Sequence, residues 1–206
     1  MKFYETQGFP NPIRVRVALA EKGLLDQVTV VPVDVMAGEH RQEPFLAKNP
    51  SGAVPALELD DGTVLAECTA ITEYLDHAVG EPTLTGTDAR ERGVIAMAQR
   101  RAEAGFLDAV AAYFHHATPG LGPELETYQN PQWGEHQKTR ALDTMAAIDG
   151  WLANHEFVAG DRFTVADITT HAGIVFGGFA KLDVPASCSN LRRWHETVQA
   201  RPSLSA

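Results

Sequence analysis

Asn49-Pro50-Ser51-Gly52-Ala53-Val54-Pro55-Ala56-Leu57, read together with Glu67-Cys68-Thr69-Ala70-Ile71, is the stretch on which the fold turns. An irregular loop leads into Val54-Pro55 and then a short strand, Ala56 to Leu59. Asp60-Asp61-Gly62 is a hairpin turn signal, because glycine takes the positive φ that tight hairpins need. Thr63 to Leu65 reads as the return strand, and a helix is expected from Glu67 to Val79. Two backbone features make this more than scaffold. X-Pro bonds are where cis peptides occur, typically in tight turns. A helix N-terminus presents N–H groups outside the helical ladder, and these suit an anion. A loop backbone beside a helix N-terminus can therefore hold a peptide-like ligand bearing a carboxylate. The spacing alone is equally compatible with a plain hairpin and helix, with Glu67 favoured in the first turn by the macrodipole.

Upstream, Lys2 to Thr6 reads as a short strand that Gly8-Phe9-Pro10 breaks. Asn11-Pro12 is a good helix start, Asn as N-cap and Pro at the first helical position. Val15 and Leu19 supply its apolar face as far as Gly23, a plausible end. The valine-rich Gln27 to Val35 reads as a buried strand, and Pro44 to Ala47 as a short helix. Strand, helix, strand, hairpin, helix is a thioredoxin-like order with a mixed sheet.

Downstream, Gly80-Glu81-Pro82-Thr83-Leu84-Thr85-Gly86 is a linker of turn formers. Beyond it the pattern is helical. Asp88 to His116 reads as one long helix, with Val94, Met97, Phe106, Val110 and Tyr113 near i, i+3, i+4 spacing. Gln132 to Asn154 is a second helix. Thr164-Val165-Ala166-Asp167 is a capping box that opens a third. Leu191 to Ala200 is a fourth, ended before Pro202. The expected architecture is an α/β thioredoxin-like N-terminal domain (1–79), a linker (80–86) and an all-α helical C-terminal domain (87–206).

A chain of 206 residues with 44% apolar content can bury a sizeable core. Its net charge of −10 argues against a partner held through nucleic-acid phosphates and against anionic membrane surfaces. No apolar run reaches the roughly 18 residues of a spanning helix. Cys68 and Cys188 stand apart with no CxxC pattern, which suits a reducing cytoplasm better than a disulfide framework. The histidines are scattered except for His115-His116, which point to different helix faces, so no metal site is expected.

The literal residues carry more. Asn-Pro-Ser-Gly-Ala-Val-Pro-Ala-Leu, then Asp-Gly, then Glu-Cys-Thr-Ala-Ile resembles the glutathione-site signature of cytosolic glutathione transferases, in which a serine stands where Cys68 stands here. Further stretches are similar to a fungal and proteobacterial branch of that family. They are Arg14 to Lys22, Gly38-Glu39-His40, Phe45 to Asn49, Tyr113 to Pro119 and Val158-Ala159-Gly160-Asp161. The resemblance covers essentially the whole chain. It implies an enzyme that conjugates the thiolate of its co-substrate glutathione to a small hydrophobic electrophile, working as a cytoplasmic homodimer. Two other readings share the fold: a glutathione-dependent disulfide or peroxide reductase, and a ligand-binding protein without turnover.

The resemblance also assigns roles. Glu67 takes the ammonium of glutathione, and the Cys68 N–H takes the γ-glutamyl carboxylate at the helix start. Val54, before a cis Pro55, pairs main chain to main chain with the cysteinyl unit like an added strand. His40, with Arg41 beside it, is a candidate for the glycyl carboxylate. The thiol must then ionise. Lowering a thiol pKa of about 8.5 by two units takes about 2.7 kcal/mol of preferential thiolate stabilisation. Most of the family supplies this from a Tyr, Ser or Cys just after the first strand. Here that stretch reads Glu5-Thr6-Gln7-Gly8-Phe9-Pro10-Asn11-Pro12, and Tyr4 falls inside the strand. Thr6 is the hydroxyl near the strand end, and Asn11 is a further candidate that reads equally as an N-cap. The branch most resembled uses a water oriented by the long central helix, a role open here to His115 or His116. Phe9, Phe106, Tyr113, Phe114 and Trp133 are candidate walls for the electrophile.

Overall fold

A small sheet at the start of the chain is centred on the buried Phe3, Tyr4 and Glu5 of one strand and the buried Ala56 and Leu57 of another. β1 (Lys2–Glu5) pairs in parallel with β2 (Thr29–Pro32) and antiparallel with β3 (Ala56–Glu58), which pairs antiparallel with β4 (Val64–Ala66). The strand order is β2-β1-β3-β4. Around it lie α1 (Pro10–Glu21), the single turn α2 (Glu43–Leu46) and α3 (Cys68–Ala78). The computed structural model describes residues 1–205, and these fall into two compact units, Met1–Pro82 and Thr83–Ser205. The first unit is the mixed sheet with its helices, a thioredoxin-like arrangement. Phe3, Val15, Leu19, Leu57, Ile71 and Leu75 fill its core.

Three local expectations change. α1 begins at Pro10 with Phe9 as N-cap, so Asn11 lies inside the first turn rather than capping it. Pro10 and Pro12 both fit there, because first-turn N–H groups lack helical partners. β2 is an edge strand with largely solvent-facing residues in its own unit, and the buried valines, Val33 and Val35, follow it. Glu67 is the N-cap of α3, not its first helical residue.

The second unit is helical: α4 (Ala89–Arg101), α5 (Asp108–Ala117), α6 (Pro131–Leu152), α7 (Val165–Phe179) and α8 (Ser189–Gln199). The stretch expected as one helix is continuous from Ala89 to Ala117 but carries a π-helical turn at Ala102–Leu107. Periodicity cannot show such a turn. Across the core the Thr144 hydroxyl lies 2.9 Å from the Gly105 carbonyl of that turn and 2.9 Å from the Arg140 carbonyl of its own helix. Phe106 within the turn is fully buried, its ring filling the space a Cβ on Gly173 would occupy. Phe106 is therefore a core residue. The capping box forms: Ala166 N–H donates to the Thr164 hydroxyl, and Thr164 N–H to the Asp167 carboxylate. Asp167 also accepts from Val158 N–H and the Trp194 indole, tying α7 to α8. Among the described residues no helix is long and apolar enough to cross a membrane.

Candidate active site

In the first unit the signature loop is shaped by one buried side chain. Asn49 donates from Nδ2 to the Ala53 carbonyl at 2.7 Å and accepts at Oδ1 from the Ser51 N–H and hydroxyl. The chain then passes through Gly52 (φ 59°), where a Cβ would press on the His40 carbonyl, and reaches a cis Val54-Pro55 bond. Val54 is half-buried just outside β3, whose pairing begins at Ala56. Its main chain therefore stands at the end of a strand, not within the ladder.

At the start of α3, Glu67 adopts φ 67° and ψ 120°. A side chain in that region carries a cost on the order of 1–3 kcal/mol, which the surrounding structure must hold in place. The helix ladder begins with Ile71 N–H donating to the Glu67 carbonyl at 3.0 Å. The Cys68 and Thr69 amides thus sit at the positive end of the helix dipole, beside the exposed Glu67 carboxylate. The buried Cys68 thiol turns the other way and contacts the Asn11 carbonyl at 3.4 Å, linking the starts of α1 and α3. His40 follows Gly38 (φ 74°) in a short turn next to the signature loop. It is only 7% exposed, and its Nδ1 has no hydrogen-bond partner among the described residues. Burial, helped by the Arg41 charge, pushes its pKa below the ordinary histidine value.

The hydroxyls after the first strand are otherwise engaged. Thr6 donates its only hydroxyl proton to the Val33 carbonyl at 2.7 Å. Tyr4 donates to Glu58 at 2.6 Å, within a cluster that also draws in Lys48 and Lys2. Burial and that carboxylate push the tyrosine pKa up, the opposite of what a thiol activator requires. The Asn11 side chain accepts from Arg14 at 3.2 Å.

In the second unit His115 and His116 close α5, and the two rings have different surroundings. His115 Nδ1 lies 2.7 Å from Glu126 Oε1, and its ring meets Phe114 and Phe176 edge-on. His116 Nδ1 accepts the Asn130 N–H at 3.2 Å, and its ring meets Tyr128. Asn130 in turn caps α6 by accepting from Trp133 N–H. Gly134 lets α6 start against the end of α5, since a Cβ there would strike Ala117. Tyr113 is buried beneath the Lys138 ammonium, and Trp133 is half-exposed against His136. No sequence pattern marks Glu126 or Asn130. Both lie in or beside an irregular connection more than ten residues from their histidines, where no periodicity signals a contact.

A thioredoxin-like unit with a carboxylate and a helix N-terminus beside a cis-proline loop, followed by an all-helical unit, is the arrangement that the family models for glutathione S-transferase N- and C-terminal domains match. The chain belongs to the glutathione S-transferase family, whose co-substrate is glutathione. Residues 10–78 match the family's N-terminal domain and residues 107–202 its C-terminal domain. Glutathione S-transferase 2 of Saccharomyces cerevisiae is 54% identical over 204 residues, 99% of this chain and 88% of the relative. A crystal structure of Gtt2 from the same yeast superimposes with a TM-score of 0.97 over 100% of this chain and 99% of that one. A glutathione S-transferase domain-containing protein of Marinobacter aquaeolei VT8 is 61% identical, with a TM-score of 0.97 over 99% of this chain and 100% of that one.

Proposed function

We propose that this chain conjugates glutathione to a small apolar electrophile, and that it belongs to the fungal and proteobacterial branch without an N-terminal catalytic Tyr, Ser or Cys. The turn at Glu67 carries the first part. Its backbone places a carboxylate and the positive end of α3 side by side, which matches the ammonium and carboxylate of a γ-glutamyl group. Val54 pairs with the cysteinyl main chain, and the unpartnered His40 nitrogen serves the glycyl carboxylate. The engaged protons of Thr6 and Tyr4 support the second part, since neither hydroxyl is left to stabilise a thiolate. Activation then falls to the start of α1 and to a water oriented by His115, with His116 as the alternative. The thiolate attacks the electrophile, a C–S bond forms, and in a substitution the leaving group departs with the electron pair.

Glutathione-dependent conjugation of a model aryl halide is the expected outcome of a turnover assay. Turnover of a mixed glutathione disulfide with no conjugate would favour a reductase, and no turnover of either would favour a binding protein.

The domains assigned as 1–79 and 87–206, with the linker 80–86 between them, divide these tasks. A homodimer fits the half-exposed Met97 on α4 and the groove it lines with Arg101 and Trp151. Sedimentation as a 22.3 kDa particle would exclude it. A cytoplasmic location fits the two buried cysteines, neither of them in a disulfide, and cell fractionation tests it.

A further inference from the structure

Two adjacent histidines stand at the end of α5, and their partners make them chemically unlike. A carboxylate only accepts hydrogen bonds, so the 2.7 Å contact with Glu126 places the His115 proton on Nδ1. Neutral His115 therefore presents an unprotonated Nε2. His116 receives a backbone N–H at Nδ1, so its proton sits on Nε2. The first imidazole can take a proton, and the second can only give one.

We infer that Glu126 is a positioning residue for thiol activation, holding His115 in the tautomer whose Nε2 accepts a proton. This rests on the reading of His115 as the group that orients the activating water. The step balances: the glutathione S–H proton passes to the water, a water proton passes to His115 Nε2, and the imidazolium that forms keeps its Nδ1–H on Glu126. A carboxylate behind an imidazole fixes the orientation of the ring and its tautomer.

The loop is built to keep Glu126 there. Its Oε1 also accepts Leu121 N–H at 2.8 Å. Gly120 (φ 57°) leaves the room that a Cβ would take from the carboxylate. Gln129 bonds the carbonyls of His115 and Thr118, both at 2.8 Å, so the loop grips the end of α5. The Glu126 side chain is 11% exposed and that of His115 is 37% exposed. The carboxylate is thus enclosed while the imidazole keeps an open side.

A double-mutant cycle tests this. Glu126→Leu removes the acceptor outright, whereas a glutamine oxygen in the place of Oε1 could still accept from both the imidazole and Leu121 N–H. The expected result is a loss of about tenfold in kcat at saturating glutathione, with the KM for glutathione unchanged. Nitrogen-15 NMR should show neutral His115 losing its preference for the Nδ1–H form and populating the Nε2–H form. In a His115→Ala background the same substitution should cost nothing further. An equal loss in both backgrounds, or no loss in the first, would overturn the role of Glu126 while leaving that of His115 intact. A His115→Ala enzyme with full kcat would remove the reading beneath it, and the proposal with it.

Discussion

The Met1–Pro82 unit and the Thr83–Ser205 unit offer polar groups of different origin. In the first, the groups assigned to glutathione are mostly main chain: the Val54 peptide and the amides at the start of α3, with Glu67 beside them. In the second they are imidazoles whose protons are set by an irregular loop. A main-chain site follows from backbone conformation and is written into local signals such as Gly52, Pro55 and the Glu67-Cys68 turn. A side-chain site depends on which residue a loop folds back against. Substitutions should therefore act on binding in the first unit, and on proton chemistry and acid stability in the second.

The largest effect expected lies inside the second unit. His171 is buried beside His195, with ring centroids 5.4 Å apart, and burial pushes its pKa down to about 4. An unfolded histidine binds its proton near pH 6.5, so acidification from 6.5 to 4 should cost about 3 kcal/mol of stability. Asp167 opposes this. Burial pushes its carboxyl up to about 6 against four donated hydrogen bonds. Its protonation in the folded state restores about 3 kcal/mol between pH 6 and 3.8. His195, also held below the ordinary histidine pKa by burial, adds to the loss on the histidine side. Relative to the native chain, urea unfolding at pH 6.5 and 4.5 should show a smaller loss of stability on acidification for His171→Gln and a larger one for Asp167→Asn. Parallel pH profiles for both variants would show that neither group titrates as its burial requires.

Next in size is Glu67→Ala. It leaves the ligand ammonium without its carboxylate, at about 1.5–3 kcal/mol for a charged hydrogen bond, or about ten- to a hundredfold in glutathione affinity. Calorimetric titration giving an unchanged Kd would break the assignment of this turn to the γ-glutamyl end. Cys68→Ser is the smallest effect. The backbone N–H is retained and the thiol points to the Asn11 carbonyl, away from the helix-start amides, so affinity should stay within about twofold or improve slightly. A tenfold loss would mean that the side chain at 68, rather than the main chain, holds the ligand.

The same contrast separates what the sequence announces from what it leaves silent. Gly62 marks the hairpin, and the Thr164/Asp167 pair marks the start of α7, because each acts within four residues. The start of α1 is harder to read. Asn11 is the better cap by preference, yet Phe9 holds the capping backbone and Pro10 begins the helix, two residues earlier than preference suggests. Val30 and Val31 suggest burial by composition, but β2 lies at the sheet edge, a matter of strand order that local pattern does not contain. The π turn meets Thr144 from 39 residues away and the Glu126–His115 pair spans 11 residues, and nothing local announces either.

Either unit could in principle supply the group that ionises the thiol. Turnover against pH at saturating glutathione, compared for His115→Ala, His116→Ala, Thr6→Val and Tyr4→Phe, decides between them directly. A lost hydrogen bond to a developing charge costs about 10²–10³ in rate. A water with other donors around it should cost less, about ten- to a hundredfold. The predicted result is a loss of that size in His115→Ala, with the apparent pKa of the thiol raised, a smaller loss in His116→Ala, and near-native turnover in Thr6→Val and Tyr4→Phe. A large loss confined to Thr6→Val or to Tyr4→Phe would contradict it, because the activating hydroxyl would then lie beside the first strand.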